Sequence, residues 1–205
     1  MASDIWSEVT FDQDDLREQK RMAVLRTGAR LFNEHGFDRT SLDDIASELN
    51  VSKRTLYYYV KNKDDILFEC NRLALEFMQE TMANSQNNDL PPLDRIAMIM
   101  THYMELLSND FGACLVLSKD TVLSKESQKL LRDGRRKLDH AVRDLLQKGI
   151  EDGSIAPCEP RTAAAALFGA FNWVPHWRLN GNSESYTEIG ESFLTIFLNG
   201  LRVRD

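Results

Sequence analysis

Ser41-Leu-Asp-Asp-Ile-Ala-Ser-Glu-Leu-Asn50-Val-Ser-Lys-Arg-Thr-Leu-Tyr-Tyr-Tyr-Val60-Lys-Asn-Lys63 reads as two short helices split by a tight turn. Ser41 is placed as an N-cap, with Asp43 and Asp44 in the first turn, where carboxylates favour the positive end of a helix. Leu42, Ile45, Ala46 and Leu49 form an inward stripe, and Asn50 takes the turn because it tolerates the left-handed conformation better than most non-glycine residues. Ser52 caps a second helix whose Leu56 and Val60, four apart, face inward. Lys53, Arg54, Thr55, Tyr57, Tyr58 and Tyr59 are left for its outer face, with part of the tyrosine run open to a core role.

Those outer side chains suit the major groove of DNA. A helix fits that groove, arginine and lysine pair with guanine acceptors, threonine meets thymine methyls, and tyrosine hydroxyls serve phosphates. Asn62 caps a further helix from Lys63, whose first-turn amides and ammonium group would hold a backbone phosphate. Upstream, Met22, Leu25, Ala29 and Phe32 recur at helical spacing between about Leu16 and His35, and Gly36 stands at the C-cap.

The charge distribution supports a local anionic partner. Residues 1–16 hold five acids and no base, residues 17–66 ten bases against eight acids, and the remainder fifteen bases against nineteen acids, so only the helix-turn-helix region is basic. The first sixteen residues, lacking sustained periodicity, are expected to be a flexible acidic arm. Cys70, Cys114 and Cys158 are far apart and form no Cys-x-x-Cys pair, which argues against a disulfide framework or zinc site and fits a reducing cytoplasm. No apolar run approaches a membrane span and no signal pattern is evident. Four scattered histidines show no metal-ligand spacing, and neither a Gly-x-Ser-x-Gly elbow nor a phosphate-cradling glycine loop occurs, so the chain is not read as an enzyme; no cofactor is expected.

The run Phe37 to Ala46 followed by Val51 to Leu67 resembles the N-terminal domain of the tetracycline-repressor family of bacterial transcriptional regulators. Asn50 stands where glycine is usual, Arg54 where a small residue often stands, and Tyr59-Val60 where His-Phe is commoner. The resemblance implies an all-α chain of about nine helices: the arm, a three-helix DNA-binding domain at 17–66, and a ligand-binding and dimerisation domain at 67–205. It places Arg39, Thr40, Ser41, Ser52, Lys53, Arg54, Thr55, Tyr57, Tyr58, Tyr59 and Lys63 at double-stranded operator DNA. It also makes the helix that begins at Lys63, through Leu67, Leu75 and Met78, the lever between ligand pocket and DNA.

The C-terminal part carries a second pattern. Five of seven methionines lie between Met78 and Met104, and methionine adapts to irregular apolar ligands. Met78, Met82, Met100, Tyr103, Met104, Phe171, Asn172, Trp173, His176 and Trp177 form the expected pocket for a small-molecule effector, with Pro175 expected to kink its helix. The arginines Arg132, Arg135 and Arg136 with Lys137 form either a solvated face or an anchor for ligand phosphates. Ala166, Ala170, Ile189, Phe193, Ile196, Phe197 and Gly200 lie on two apolar helices that offer more surface than one small body covers, and are expected in a homodimer interface. The family resemblance implies the same pairing. Gly169 to Gly181 resembles regulators of steroid and fatty-acid catabolism within that family, whose ligands are acyl-CoA thioesters. An acyl-CoA effector is thereby implied.

Overall fold

The structure is a computed structural model describing residues 4–86, 90–179 and 184–202. Its described part is built from nine α-helices: α1 Asp4–His35, α2 Leu42–Glu48, α3 Lys53–Leu56, α4 Lys63–Gln86, α5 Pro92–Leu107, α6 Asp110–Leu117, α7 Lys125–Glu151, α8 Pro160–Leu179 and α9 Tyr186–Leu201. A 3-10 turn at Asp120–Val122 joins α6 to α7, and a single antiparallel bridge ties Ile155 to Arg202. No helix among the described residues is long and apolar enough to cross a membrane.

Helix α1 runs through the described part of the segment expected to be an acidic arm. Residues from Asp4 onward continue α1 without a break. No glycine or proline interrupts this segment before Gly28. Once the packed half is nucleated, each added residue gains a backbone hydrogen bond for little cost. The expected division at 66/67 likewise falls inside α4.

Val24, Leu25, Ala29 and Phe32 of α1 are buried with Ile45 and Ala46 of α2, Leu56 and Val60 around α3, and Ile66 and Leu67 of α4. Polar contacts bind α1 to its neighbours over the same interval. Arg21 Nη2 donates to Glu69 Oε2 at 2.5 Å, the Cys70 thiol to the Leu25 carbonyl at 3.5 Å, and Arg30 Nη2 to Glu48 Oε1 at 2.5 Å. Asn33 Nδ2 reaches the Asp110 carbonyl at 3.0 Å and so fastens α1 to the start of α6. Farther along, α4 crosses α7 closely: a Cβ added at Gly134 would stand 2.8 Å from Leu75 Cδ1, so a larger residue there would require the Leu75 side chain to shift. Helix α8 runs through Pro175, which has no amide proton for the Phe171 carbonyl.

Candidate nucleic-acid interface and effector cavity

The helix-turn-helix is shaped by its caps. Ser41 Oγ accepts from the Asp44 amide at 3.1 Å while Asp44 Oδ2 accepts from the Ser41 amide at 2.8 Å, a reciprocal capping box. Hydrogen bonds from Ser41 hold the Asp44 carboxyl below its usual range. At the far end of α2 the Val51 amide bonds the Ala46 carbonyl at 2.9 Å and the Asn50 amide the Ser47 carbonyl at 3.0 Å. This is the Schellman pattern, with Asn50 at φ 54° in its left-handed position, as the sequence reading expects.

Ser52 Oγ accepts from the Thr55 amide at 3.2 Å and starts α3. Although α3 itself is four residues long, Tyr58, Tyr59 and Val60 amides bond the carbonyls of Thr55, Leu56 and Leu56, which carries the turn to residue 60. Leu56 and Val60 are buried, so the opposite side is held outward: Lys53 and Arg54 are exposed, and Tyr57 and Tyr58 are 54% and 67% exposed. Tyr59 is half-buried against the core. Lys53 Nζ donates to Asp43 Oδ2 at 2.7 Å, and that bond pushes its pKa up. Arg54 has no ion-pair partner among the described residues.

Around this face, Arg39 is exposed and its Nε donates to the His35 carbonyl at 2.7 Å, covering an open acceptor at the end of α1. Lys63 Nζ donates to the Phe37 carbonyl at 2.7 Å and lies 4.2 Å from the Phe37 ring centroid, which leaves part of its ammonium open. Thr40 requires a correction. Its side chain is buried, with Oγ1 donating to the Gly36 carbonyl at 2.9 Å and the Leu31 carbonyl at 3.2 Å, so it serves the end of α1 and not DNA.

A cavity of about 580 Å³ opens among α4, α5, α6, α7 and α8. Of the ten residues expected in a pocket, Tyr103, Asn172, Trp173 and His176 line it. Tyr103 donates its hydroxyl to Asn172 Oδ1 at 2.5 Å, and burial pushes the phenol pKa up, so it remains a neutral donor. The Trp173 and His176 rings lie 4.9 Å apart. Met78, Met100 and Phe171 are instead wholly buried core residues. Met82 and Met104 border two other cavities, of about 310 and 180 Å³, and Trp177 packs edge-on against Phe193. These six are drawn away because α5 packs against α4, α7 and α9 while Phe171 and Trp177 close on Phe193.

Leu75, Leu115, Val116, Leu138 and Phe168 supply apolar wall, and Ser118, Asp120, Arg135 and Asp139 a polar edge. Arg135 donates to both oxygens of Asp120 and, at 3.3 Å, to the Leu115 carbonyl. The α7 arginine cluster was the visible signal for that edge. All three cysteines are free; burial pushes Cys114 up to about 12 and Cys70 well above its usual value, so neither is a thiolate near neutrality.

The α8 and α9 surface has an open apolar strip. Ala166 is exposed, Ala170 and Phe197 are half-buried, Ile196 is 67% exposed, and Gly200 has nothing within 4 Å of an added Cβ. Ile189 is corrected, since it lies in the chain's own core, and Phe193 is half-buried against the Phe171 and Trp177 rings.

Residues 24–70 match the family profile described as bacterial regulatory proteins, tetR family, and residues 89–201 match the tetracyclin repressor-like C-terminal domain. The fatty acid metabolism regulator protein of Bacillus subtilis is 21% identical over 188 residues, covering 90% of this chain and 97% of its own. The ketosteroid transcriptional regulator KstR2 of Mycobacterium tuberculosis superposes with TM-score 0.82 at 20% identity, over 90% of this chain and 96% of that one. AibR in complex with isovaleryl coenzyme A and operator DNA superposes with TM-score 0.74 at 21% identity, over 86% and 96%.

Proposed function

The chain belongs to the tetracycline-repressor family of bacterial transcriptional regulators, and on that premise we propose a homodimeric repressor that a small ligand releases from a palindromic operator. The observation that carries this reading is the outward face of α3. Leu56 and Val60 anchor the helix and the turn that continues it, while Lys53 and Arg54 on the capped helix and Tyr57 and Tyr58 on that turn stand exposed. Lys53, Arg54, Thr55, Tyr57 and Tyr58 read the major groove. Arg39, Ser41, Ser52, Tyr59 and Lys63 meet the backbone on either side. Residues 17–66 form the DNA-binding unit and 67–205 the regulatory one, with α4 shared between them, and the protein acts in the cytoplasm.

Two copies pair through Ala166, Ala170, Ile196, Phe197 and Gly200 of α8 and α9, with Phe193 behind them. Dimerisation sets two α3 helices on successive half-sites about 34–36 Å apart. The effector is an acyl-CoA thioester whose acyl group enters the 580 Å³ cavity, a size within the usual range for small-molecule sites. A ligand that binds better when the half-sites are mis-spaced lowers DNA affinity, and DNA weakens ligand binding by the same factor.

The test is selection of operator sequences from random duplex DNA by the purified protein, followed by gel shift in the presence of an acyl-CoA panel. Recovery of a palindrome, released saturably by at least one thioester, is the expected result. A sequence-indifferent selection refutes the regulator reading. Thioester turnover in place of a saturating shift refutes the effector reading.

A further inference from the structure

A second cavity of about 380 Å³ adjoins the first along α7 and shares Asp120, Arg135 and Asp139 with it. Gln128, Arg132, Arg136 and Arg143 complete its edge. Arg135, Arg136 and Arg143 lie three, four and eleven residues beyond Arg132, so one face of α7 carries four guanidinium groups over about 17 Å. Within the groove those four cations meet only two carboxylates, Asp120 and Asp139.

The cations are unequally held. Arg143 is bonded to Asp139 at 2.6 Å, yet its Nε is enclosed without a hydrogen-bond partner. Arg136 approaches Asp133 only to 3.8 Å, and Arg132 has no carboxylate within ion-pair distance among the described residues. Arg135, at the junction of the two cavities, is gripped by both oxygens of Asp120 on the 3-10 turn. A guanidinium holds a phosphate in the same two-pronged geometry it uses for a carboxylate. A phosphate entering the groove therefore competes with Asp120 for the same donors.

Building on the reading of the larger cavity as an acyl-group site, we propose that the α7 groove is the head-group subsite of the same ligand. It takes a phosphate-bearing head, the diphosphate of a coenzyme A thioester, and the phosphate takes Arg135 over from Asp120. Asp120 is then freed from α7, and the connection from α6 loses its ion pair to that helix. Since α6 is fastened to α1 through Asn33 and the Asp110 carbonyl, the exchange reaches the DNA-binding unit by a continuous chain of contacts.

The experiment titrates the full-length protein with free coenzyme A, with pantetheine, which lacks the phosphates, and with inorganic pyrophosphate, each followed calorimetrically. Coenzyme A is expected to bind saturably where pantetheine does not. Joint Arg132→Glu and Arg136→Glu substitution should weaken it at least about tenfold, the value of one charged hydrogen bond. Asp120→Asn should tighten it, because the competitor for Arg135 is gone, whereas a merely structural Asp120 would give loss. Equal binding of coenzyme A and pantetheine, or an Asp120→Asn variant no tighter than wild type, overturns the proposal. Pyrophosphate binding as tightly as coenzyme A assigns the groove to a free anion and overturns the head-group assignment. Operator release separates the two readings. If thioesters release DNA from wild type and from the double arginine variant at one concentration, the subsite falls and the effector reading stands. If coenzyme A binds as expected but no thioester releases DNA, the subsite stands and the effector reading falls.

Discussion

The outer face of α3 holds one cation committed to a neighbour and one that is free: Lys53 is bonded to Asp43 at 2.7 Å, while Arg54 is exposed without an ion-pair partner among the described residues. Replacing Arg54 with Ala removes the guanidinium and leaves the buried anchors Leu56 and Val60 in place. A two-pronged base contact is worth about 1–3 kcal/mol. In a homodimer the substitution is made twice, so operator binding should weaken by about 2–6 kcal/mol, which is roughly thirtyfold at the low end and more than ~10⁴-fold at the high end. Arg54→Lys separates base reading from charge. If Arg54 reads a base, Lys falls with Ala; if it only meets phosphate, Lys stays near wild type and Ala alone flattens the dependence of log K on log salt by about two. The assay is fluorescence anisotropy of labelled operator across a salt series. Asp43→Asn tests the neighbour with the opposite sign, since freeing Lys53 and removing a carboxylate beside DNA should tighten binding at low salt. An Arg54→Ala protein with wild-type affinity and salt slope would refute the placement of α3 against DNA.

Three other outcomes follow from the geometry. Thr40→Val keeps the buried shape but removes the donor to the Gly36 and Leu31 carbonyls, and should cost about 1 kcal/mol in urea unfolding; lost operator affinity at unchanged stability would return Thr40 to the DNA face. For Glu69, burial pushes the carboxyl pKa up, but hydrogen bonds and charge from Arg72 and Arg21 outweigh it and the net shift is downward. A folded pKa below the unfolded value of about 4.3 stabilises above that pH and is lost as pH falls through the folded value. Glu69→Gln should therefore be less stable at pH 7 and show a shallower acid loss in calorimetric melts, and a parallel acid profile would count against the bridge. Ile196, 67% exposed in the chain, should tolerate Glu in a lone subunit but not between two. Sedimentation should show monomers with poor operator binding, and an intact dimer would remove Ile196 from the interface.

The DNA-binding unit is legible in the sequence because its signals are local. Ser41, Asn50 and Ser52 fix helix ends within a few residues of themselves, and Leu56 and Val60 set which side of α3 turns inward. The cavity is less legible because its walls are chosen by long-range packing. Periodicity shows that Met100 and Met104 face inward, but not that α4, α7 and α9 cover that stripe while an open space forms near Tyr103. Arg135 is hard to separate from its solvated neighbours until a turn fifteen residues upstream brings Asp120 against it. The family resemblance places Thr40 at DNA, whereas the open carbonyls at the end of α1 draw its hydroxyl in.

On the proposed function, the same contacts carry a small change at the cavity to two half-sites. The first turns of α4 are tied to α1 by Arg21 to Glu69, by Cys70 to Leu25, and by Lys63 to Phe37, so they move with the DNA-binding unit. Leu75, farther along α4, both lines the cavity and meets α7 at Gly134. The twelve residue steps from Lys63 to Leu75 span about 18 Å of helix. A tilt of about 5° pivoted at Leu75 moves the Lys63 end by about 1.6 Å over that helical length. Repeated in the other subunit, the change in spacing approaches one base-pair rise, about 3.4 Å. No large rearrangement of the fold is then needed for release, because two rigid helices on a duplex tolerate little error in their separation.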